Sequence, residues 1–113
     1  MQVNVRFAPS PTGYLHVGGL RTALYNYIFA KQNNGNLILR IEDTDQSRKV
    51  KGAIDNLISS LKKCGIIVDK GPAEYSKDSL FIQSNRLSIY HKFTDYLLNK
   101  GYAYACFDDD FKK

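Results

Sequence analysis

The sequence predicts an α/β fold: a Rossmann-like, open and mainly parallel sheet with flanking helices. Residues 2–7 alternate polar and apolar side chains at period two, which predicts a first strand. Residues 37–41 are a near-continuous apolar run, typical of a parallel strand buried on both faces. Helical periodicity lies between and after these strands, so the predicted order is strand, helix, strand, helix, helix, strand.

Three helices follow from apolar residues at helical spacing and from the residues that stop them. The first starts near Val17 and ends at the polar segment 33–36, and the second ends at Gly65. The third begins with Ser84 as its cap and ends before Gly101. The apolar faces of the three helices are formed by Val17, Leu20, Leu24, Tyr27 and Ile28, by Ile54, Leu57, Ile58 and Leu61, and by Leu87, Tyr90, Phe93 and Leu97.

The remaining segments are a short extended piece at 66–68, an irregular stretch at 71–83 and a last strand at 102–107. The whole of 1–113 is expected to be one domain.

Composition excludes several classes of protein. No apolar stretch approaches the roughly 20 residues that span a bilayer, and residues 1–6 lack a signal-peptide pattern, so no membrane partner is expected. Cys64 and Cys106 fit no disulfide framework, which favours a reducing compartment and hence the cytoplasm. The net charge of +5 favours nucleic acid only weakly, because 11 scattered lysines supply most of the 16 basic residues.

Unusual chemistry follows both predicted parallel strands, at residues 8–19 and 42–45. In an open α/β sheet, ligands bind beyond the carboxyl ends of the strands, so the two stretches are expected to line one crevice. A glycine-bearing loop that leads into a helix favours an anion there, yet no lysine follows the glycines and His16 stands at the helix start instead. Gly18 and Gly19 would let a flat base or ribose lie against the helix. The alternative is a plain helix start with a capping histidine and close-packing glycines.

Several motifs, in collinear order over nearly the whole chain, resemble those of class I glutamyl-tRNA synthetases. Residues 6–19 resemble the family's first signature, with His-Val-Gly-Gly at 16–19 in place of its HIGH tetrad. Residues 40–45 resemble the second signature. The similarity continues at residues 21–27, 83–87 and 101–104.

The resemblance implies ATP-dependent activation of L-glutamate and its transfer to the 3' end of tRNA(Glu). It implies ATP with Mg²⁺, a monomer, and a catalytic role for His16, Gly18 and Gly19. It implies that ATP is bound by Pro11, Thr12, Gly13, His16, Gly18 and Gly19.

The resemblance also assigns glutamate binding to Arg6, Ala8, Ser10 and Glu42. Arg6 offers a planar fork for the γ-carboxylate, and Glu42 with the Ser10 hydroxyl suits the α-ammonium. The main chain at Ala8 lies between them. The alternative for Arg6 and Glu42 is a structural ion pair that braces the strand ends.

Weaker candidates lie elsewhere. Asp45 and Arg48 are expected at the tRNA acceptor end, or equally as residues that cap and flank the second helix. Some family members carry a zinc site that opens with Cys-x-Cys, whereas this chain has Cys106 followed by Phe107 and aspartates at 108–110. No zinc is predicted, because one cysteine is a poor half-site.

Residues 1–113 are expected to be the amino-terminal part of a Rossmann-type nucleotide-binding catalytic domain, truncated after about residue 113, because the family's second ATP motif is missing. Two alternatives stay open: a glutamyl-queuosine tRNA(Asp) synthetase-like enzyme, and a non-catalytic binding module. A glutaminyl-tRNA synthetase is less favoured, because that branch has Pro-Glu-Pro-Asn-Gly where this chain has Pro-Ser-Pro-Thr-Gly.

Overall fold

A computed structural model describes residues 2–72 and 80–107 of the chain. The elements are β1 (Asn4–Phe7), α1 (Val17–Gln32), β2 (Asn36–Leu39), α2 (Ala53–Lys63) and α3 (Leu87–Asn99), with 3-10 turns at Gln46–Arg48 and Gln83–Arg86. The predicted α/β class is confirmed, since a parallel sheet is connected and flanked by helices. In the described ranges, no helix is both long and apolar enough to cross a membrane.

β2 and the residues just after it have neighbouring backbone on both edges. On one edge β2 pairs in parallel with β1, in a register that places Phe7 beside Leu39. On its other edge, Ile38 forms a parallel bridge with Lys70, and Ile41 forms one with Ile82. The apolar run that predicted a buried strand therefore lies between two neighbouring backbones, as expected for a parallel sheet.

The core lies between this sheet, α1 and α2. Its buried cluster combines residues of both strands with the inner faces of both helices, and Ile66 beyond α2 completes it: Phe7, Ala23, Leu37, Leu39, Ile41, Leu57, Leu61 and Ile66. By contrast, no residue of α3 is buried. A polar contact connects α3 to the residue that follows β2: Arg40 Nη2 donates to the Tyr90 hydroxyl at 2.7 Å.

The predicted helix stops at Gly65 and Gly101 are confirmed. Both glycines have left-handed φ values, +71° and +72°. Beyond them, Ile66 N–H donates to Leu61 O at 3.0 Å and Tyr102 N–H donates to Leu97 O at 2.9 Å. These are the hydrogen bonds of a helix-terminating motif that favours glycine, because only glycine adopts that φ without strain.

Two sequence predictions are wrong. Ser84 does not cap α3: it lies in the preceding 3-10 turn, and the N-cap is Arg86, which makes no side-chain cap bond. Ser84 instead donates both its N–H and its hydroxyl to the buried carboxylate of Asp43, a stronger acceptor than a neutral group.

Residues 102–107 do not form a strand either. The alternation of aromatic and small residues suggested one, but within the described part of the chain β1 pairs with β2 and neither strand pairs with this segment. Tyr104 and Phe107 are 86% and 90% exposed. A period-two pattern produces a strand only where a neighbouring backbone supplies hydrogen bonds.

Two connecting segments were also predicted. Residues 66–68 form no assigned strand, and the chain pairs with β2 only at Lys70. Of the predicted irregular stretch at 71–83, residues 73–79 lie outside the described ranges, and residues 83–86 are the 3-10 turn.

Candidate active site at the carboxyl edge of the sheet

The segment between β1 and α1, residues 8–16, lines a cleft of about 310 Å³; we call it the β1–α1 loop. Ala53 and Leu57 of α2 contribute to the wall of the cleft beneath this loop. The lining includes most of the predicted ATP-binding residues: Pro11, Thr12, Gly13, His16 and Gly19, with Ser10 beside them.

Residues in α2 and just before it hold the backbone of the β1–α1 loop. Val50 N–H donates to Pro11 O at 2.9 Å, and Leu15 N–H donates to the side-chain oxygen of Asn56 at 3.1 Å. The loop is therefore fixed through its main chain. The side chains of Ser10 and Thr12 stay exposed, and Gly13 also lies at the surface.

His16 is the N-cap residue of α1. Its Nδ1 accepts a hydrogen bond from Gly18 N–H at 3.1 Å. In the neutral ring this contact places the proton on Nε2, which has no partner within the described residues. His16 therefore caps α1, as the alternative interpretation predicted. The same hydrogen bond leaves the Nε2–H donor of the exposed His16 ring available at the start of the helix.

Gly18 and Gly19 are tight against the loop itself. A Cβ at Gly18 would lie 3.0 Å from His16 Cε1, and a Cβ at Gly19 would lie 2.9 Å from Leu15 Cδ1. The glycines therefore let α1 begin close beneath His16 and Leu15. Gly18 is exposed, and a base or ribose above it stays a prediction.

Residues 40–43, which we call the β2 exit segment, continue past β2 beside the loop. Arg40 N–H donates to Phe7 O at 3.0 Å, and Glu42 N–H donates to Pro9 O at 3.0 Å. The two stretches of unusual chemistry therefore meet at one edge of the sheet, as the order of elements predicted.

The charged side chains assigned to glutamate binding do not pair with one another. Arg6, at the third position of β1, is exposed, and its guanidinium forms no ion pair or hydrogen bond with any residue of 2–72 and 80–107. Glu42 Oε1 lies 3.9 Å from Arg40 Nε and makes no ion pair with Arg6. The structural Arg6–Glu42 pair is therefore absent. Ser10 is exposed and Ala8 half-buried in the same region.

Asp43 is a residue that the sequence analysis passed over as one letter of a motif. It is 2% exposed, and its carboxylate accepts bonds from Ser84 N–H and Ser84 Oγ, both at 2.9 Å. Lys49 Nζ and Gln46 Nε2 each lie 3.3 Å from Oδ2. Burial alone would raise the pKa of Asp43, but the hydrogen bonds from Ser84, Gln46 and Lys49 together outweigh it and lower the pKa.

One sequence signal could have identified Asp43. Leu37, Leu39 and Ile41 are buried at alternate positions, and the next position on that face is Asp43. A carboxylate on the buried face of a strand requires partners, because an unpaired buried charge is costly.

Asp45 and Arg48 form a surface pair beside the 3-10 turn. Arg48 Nε lies 2.5 Å from Asp45 Oδ2, and Ser47 Oγ donates to Oδ1 at 2.6 Å. Hydrogen bonds from Ser47 and then Arg48 lower the pKa of Asp45. Neither residue caps α2, whose N-cap is Gly52. A contact with tRNA stays a prediction.

The absence of zinc also stays a prediction. Cys106 is exposed, and the aspartates that follow at 108–110 lie outside the described residues.

Comparison with known proteins places the chain in a family. Residues 2–111 match the family model of tRNA synthetases class I (E and Q), catalytic domain. The glutamate–tRNA ligase of Chlorobaculum parvum is 59% identical over 106 residues, which are 94% of this chain and 21% of that protein. The corresponding ligase of Finegoldia magna is 53% identical over 116 residues, covering 94% of this chain and 24% of that protein.

Solved structures agree. A glutamate tRNA ligase from Elizabethkingia meningosepticum, crystallised in complex with its amino acid, superposes with a TM-score of 0.81 at 47% identity, over 88% of this chain and 20% of that one. A glutamate-tRNA synthetase from Elizabethkingia anophelis gives the same values. The chain spans about a fifth of the length of these relatives. With the sheet, the loop and the glycine-rich start of α1 in place, the chain belongs to the catalytic-domain family of the class I tRNA synthetases for E and Q.

Proposed function

We propose that this chain supplies the ATP site and part of the amino-acid site of a glutamate–tRNA ligase. The reaction activates L-glutamate with ATP to glutamyl-adenylate and transfers the glutamyl group to the 3' end of tRNA(Glu). The observation that carries the proposal is the unpaired, exposed guanidinium of Arg6 at the sheet edge where Glu42 meets the β1–α1 loop. The names of the relatives, glutamate–tRNA ligases at 53–59% identity, support the same reaction.

On the glutamate side, the substrate brings two carboxylates and an ammonium group. The guanidinium of Arg6 forms a bidentate salt bridge with the γ-carboxylate, which no neutral side chain can form. Glu42 and the Ser10 hydroxyl receive the α-ammonium, and the main chain at Ala8 lines the space between. Such a site discriminates against glutamine, because a neutral amide leaves the arginine charge unpaired.

On the ATP side, the α-carboxylate of glutamate attacks the α-phosphorus of ATP, an acyl–phosphate bond forms, and pyrophosphate leaves. Pro11, Thr12 and Gly13 border the nucleotide. His16 Nε2–H and the positive end of α1 stabilise negative charge that spreads onto the phosphate oxygens. Gly18 leaves room for the His16 ring and Gly19 leaves room for Leu15, because neither residue adds a Cβ there. Mg²⁺ accompanies the triphosphate and neutralises part of its charge.

For tRNA binding, we assign fewer residues of this chain than for glutamate or ATP. The exposed pair of Asp45 and Arg48 lies just beyond the β2 exit segment, where an acceptor end approaching Glu42 would pass. We assign the pair to tRNA on that position alone.

The same proposal includes a cytoplasmic monomer that holds no zinc. Cys64 and Cys106 are exposed and far apart in the sequence, which fits a reducing compartment. Metal analysis and light scattering of the purified full-length protein check the zinc content and the oligomeric state.

Amino-acid-dependent exchange of pyrophosphate into ATP tests the proposed function. The full-length protein is assayed with glutamate, glutamine and aspartate, each with and without tRNA(Glu). Exchange with glutamate is expected. Exchange that prefers glutamine, or none with any amino acid even when tRNA is present, overturns the proposal.

Aminoacylation separates the enzymatic alternatives. Transfer of labelled glutamate to tRNA(Glu), abolished by periodate oxidation of the terminal ribose, is expected. Transfer to tRNA(Asp) that survives removal of the 3'-terminal adenosine would indicate the base-modifying relative instead. A non-catalytic module would give neither product.

A further inference from the structure

We infer that Asp43 is a positioning residue for the glutamate site, acting through its neighbour Glu42. The inference rests on the function proposed above. Asp43 itself is 2% exposed, so it does not reach a substrate in the cleft. What it does is fix the chain that carries Glu42.

The first step concerns which way the side chains face. Leu39, Ile41 and Asp43 are at most 2% exposed, whereas Arg40 and Glu42 between them are partly exposed. Because side chains alternate along an extended chain, burial of Asp43 sends Glu42 to the opposite, accessible side. A slip of one residue would bury Glu42 and expose Asp43.

The second step concerns what prevents that slip. β2 ends at Leu39, but backbone hydrogen bonds continue on both edges of the β2 exit segment as far as Glu42: Arg40 N–H donates to Phe7 O at 3.0 Å, and Gln83 N–H donates to Ile41 O at 2.8 Å. Its backbone is held at Ile41, whose N–H donates to Phe81 O at 2.8 Å, and at Glu42, whose N–H donates to Pro9 O at 3.0 Å. The carboxylate of Asp43 adds the anchor on the far side of Glu42.

The third step concerns the strength of that anchor. Asp43 Oδ1 takes the Ser84 N–H, while Oδ2 takes the Ser84 hydroxyl and lies 3.3 Å from Lys49 Nζ. Charge-assisted bonds of this kind are stronger than neutral ones. Ser84 is 41 residues away in the sequence, so the anchor ties the Glu42 segment to a separate part of the chain.

The isosteric substitution Asp43→Asn tests this role in the full-length protein. The amide oxygen can still accept from Ser84 N–H, but the amide NH₂ would face the donors of Gln46 and Lys49. A misplacement of about 1 Å in a substrate-positioning group, caused by a mutation away from the chemistry, can cost roughly 100-fold in rate. We expect the KM for glutamate in pyrophosphate exchange to rise, so that kcat/KM for glutamate falls by about that factor, with KM for ATP changed by less than about threefold.

Asp69→Asn is the matched control at the opposite end of β2. Asp69 also accepts a backbone N–H, from Leu37 at 2.8 Å, and also pairs with a lysine, Lys31, at 2.8 Å. It lies beside the start of β2 instead of its end. If Asp43 acts by position, Asp69→Asn leaves the KM for glutamate unchanged. If the KM for glutamate rises equally in both variants, Asp43 is only a structural residue and the inference is overturned.

A second pair of variants covers the case in which Asp43→Asn does not fold. Ser84→Ala removes the hydroxyl bond to Asp43, whereas Ser84→Thr keeps it. The inference expects a raised KM for glutamate in the alanine variant and recovery in the threonine variant. Equal KM values in the two variants contradict it.

The wild-type protein in the same assay separates the inference from the function it rests on. Wild-type exchange with glutamate, together with Asp43→Asn variants that keep the wild-type KM for glutamate, overturns the inference alone. Absence of glutamate-dependent exchange in the wild type overturns the proposed function and the inference with it.

Discussion

The β1–α1 loop and the β2 exit segment meet at one edge of the sheet, but they are held in different ways. The loop is held by its main chain, through Pro11 O and Leu15 N–H, and it leaves His16 and Ser10 exposed. The exit segment is held through backbone on both edges and through a buried side chain, Asp43.

This difference fits the two ligands of the proposed reaction. A triphosphate is large, and its charge moves during the reaction, so the groups that meet it must be accessible from solvent. A glutamate site must tell a carboxylate from an amide, which requires charged groups held in fixed geometry. The loop supplies accessible hydrogen-bond donors for ATP, and the exit segment holds Glu42 in a fixed position for glutamate.

The largest effect is expected at His16. His16→Ala removes the Nε2–H donor and should lower kcat for glutamate-dependent exchange roughly 100- to 1,000-fold, as loss of one preorganised donor does. KM for glutamate should stay at its wild-type value, because the substitution does not change the β2 exit segment. The measurement is pyrophosphate exchange under saturating and limiting glutamate.

His16→Asn is the matched variant for that experiment. Asparagine can still accept from Gly18 N–H as an N-cap, so about 1 kcal/mol of capping stability is kept while the imidazole donor is lost. We expect wild-type thermal stability with low activity. Activity close to wild type in His16→Asn would show that His16 only caps the helix. His91→Ala, which removes the chain's other histidine from exposed α3, should have no effect.

The next largest effect is expected at Arg6. Arg6→Ala leaves the γ-carboxylate unpaired and should lower kcat/KM for glutamate roughly 100-fold, with KM for ATP nearly unchanged. Arg21→Ala removes the same charge from an exposed position on α1, where the guanidinium lies 5.7 Å from the Tyr25 ring centre. If both variants lose activity equally, net charge and not a paired contact is responsible. Equal loss of glutamate and ATP affinity in Arg6→Ala would make Arg6 structural.

The smallest effect concerns stability against acid. The pKa of Asp43 is lowered from 3.8: burial alone would raise it, but bonds from Ser84, Gln46 and Lys49 outweigh that. A depressed folded-state pKa contributes stability that is present above the unfolded pKa, about 3.9, and is lost as pH falls through the folded value.

At pH 7 the free energy of unfolding of Asp43→Asn should therefore be lower than that of the wild type, with a gap of about 1–3 kcal/mol. The gap should stay constant down to about pH 4 and narrow below it. Thermal unfolding of both proteins between pH 7 and pH 3 measures the gap. A gap that widens on acidification would mean that Asp43 is protonated in the folded protein.

The comparison also shows how far the sequence could lead. The order of elements, the helix stops at Gly65 and Gly101 and the meeting of the two segments follow from local patterns. The anchor at Asp43 does not, because its partner Ser84 is 41 residues away and itself resembles a helix cap. The strand predicted at 102–107 failed for a related reason, since local alternation cannot reveal whether a neighbouring strand exists.

The proposed pairing of Arg6 with the γ-carboxylate and of Glu42 with the α-ammonium is tested most directly by a crystal structure. The full-length protein would be crystallised with a non-hydrolysable glutamyl-adenylate analogue. We expect both Arg6–carboxylate distances at about 2.7–3.2 Å, Glu42 on the ammonium, and His16 Nε2 on the adenylate side. An analogue bound with its glutamyl side chain away from Arg6, and Arg6 still in solvent, would contradict the account.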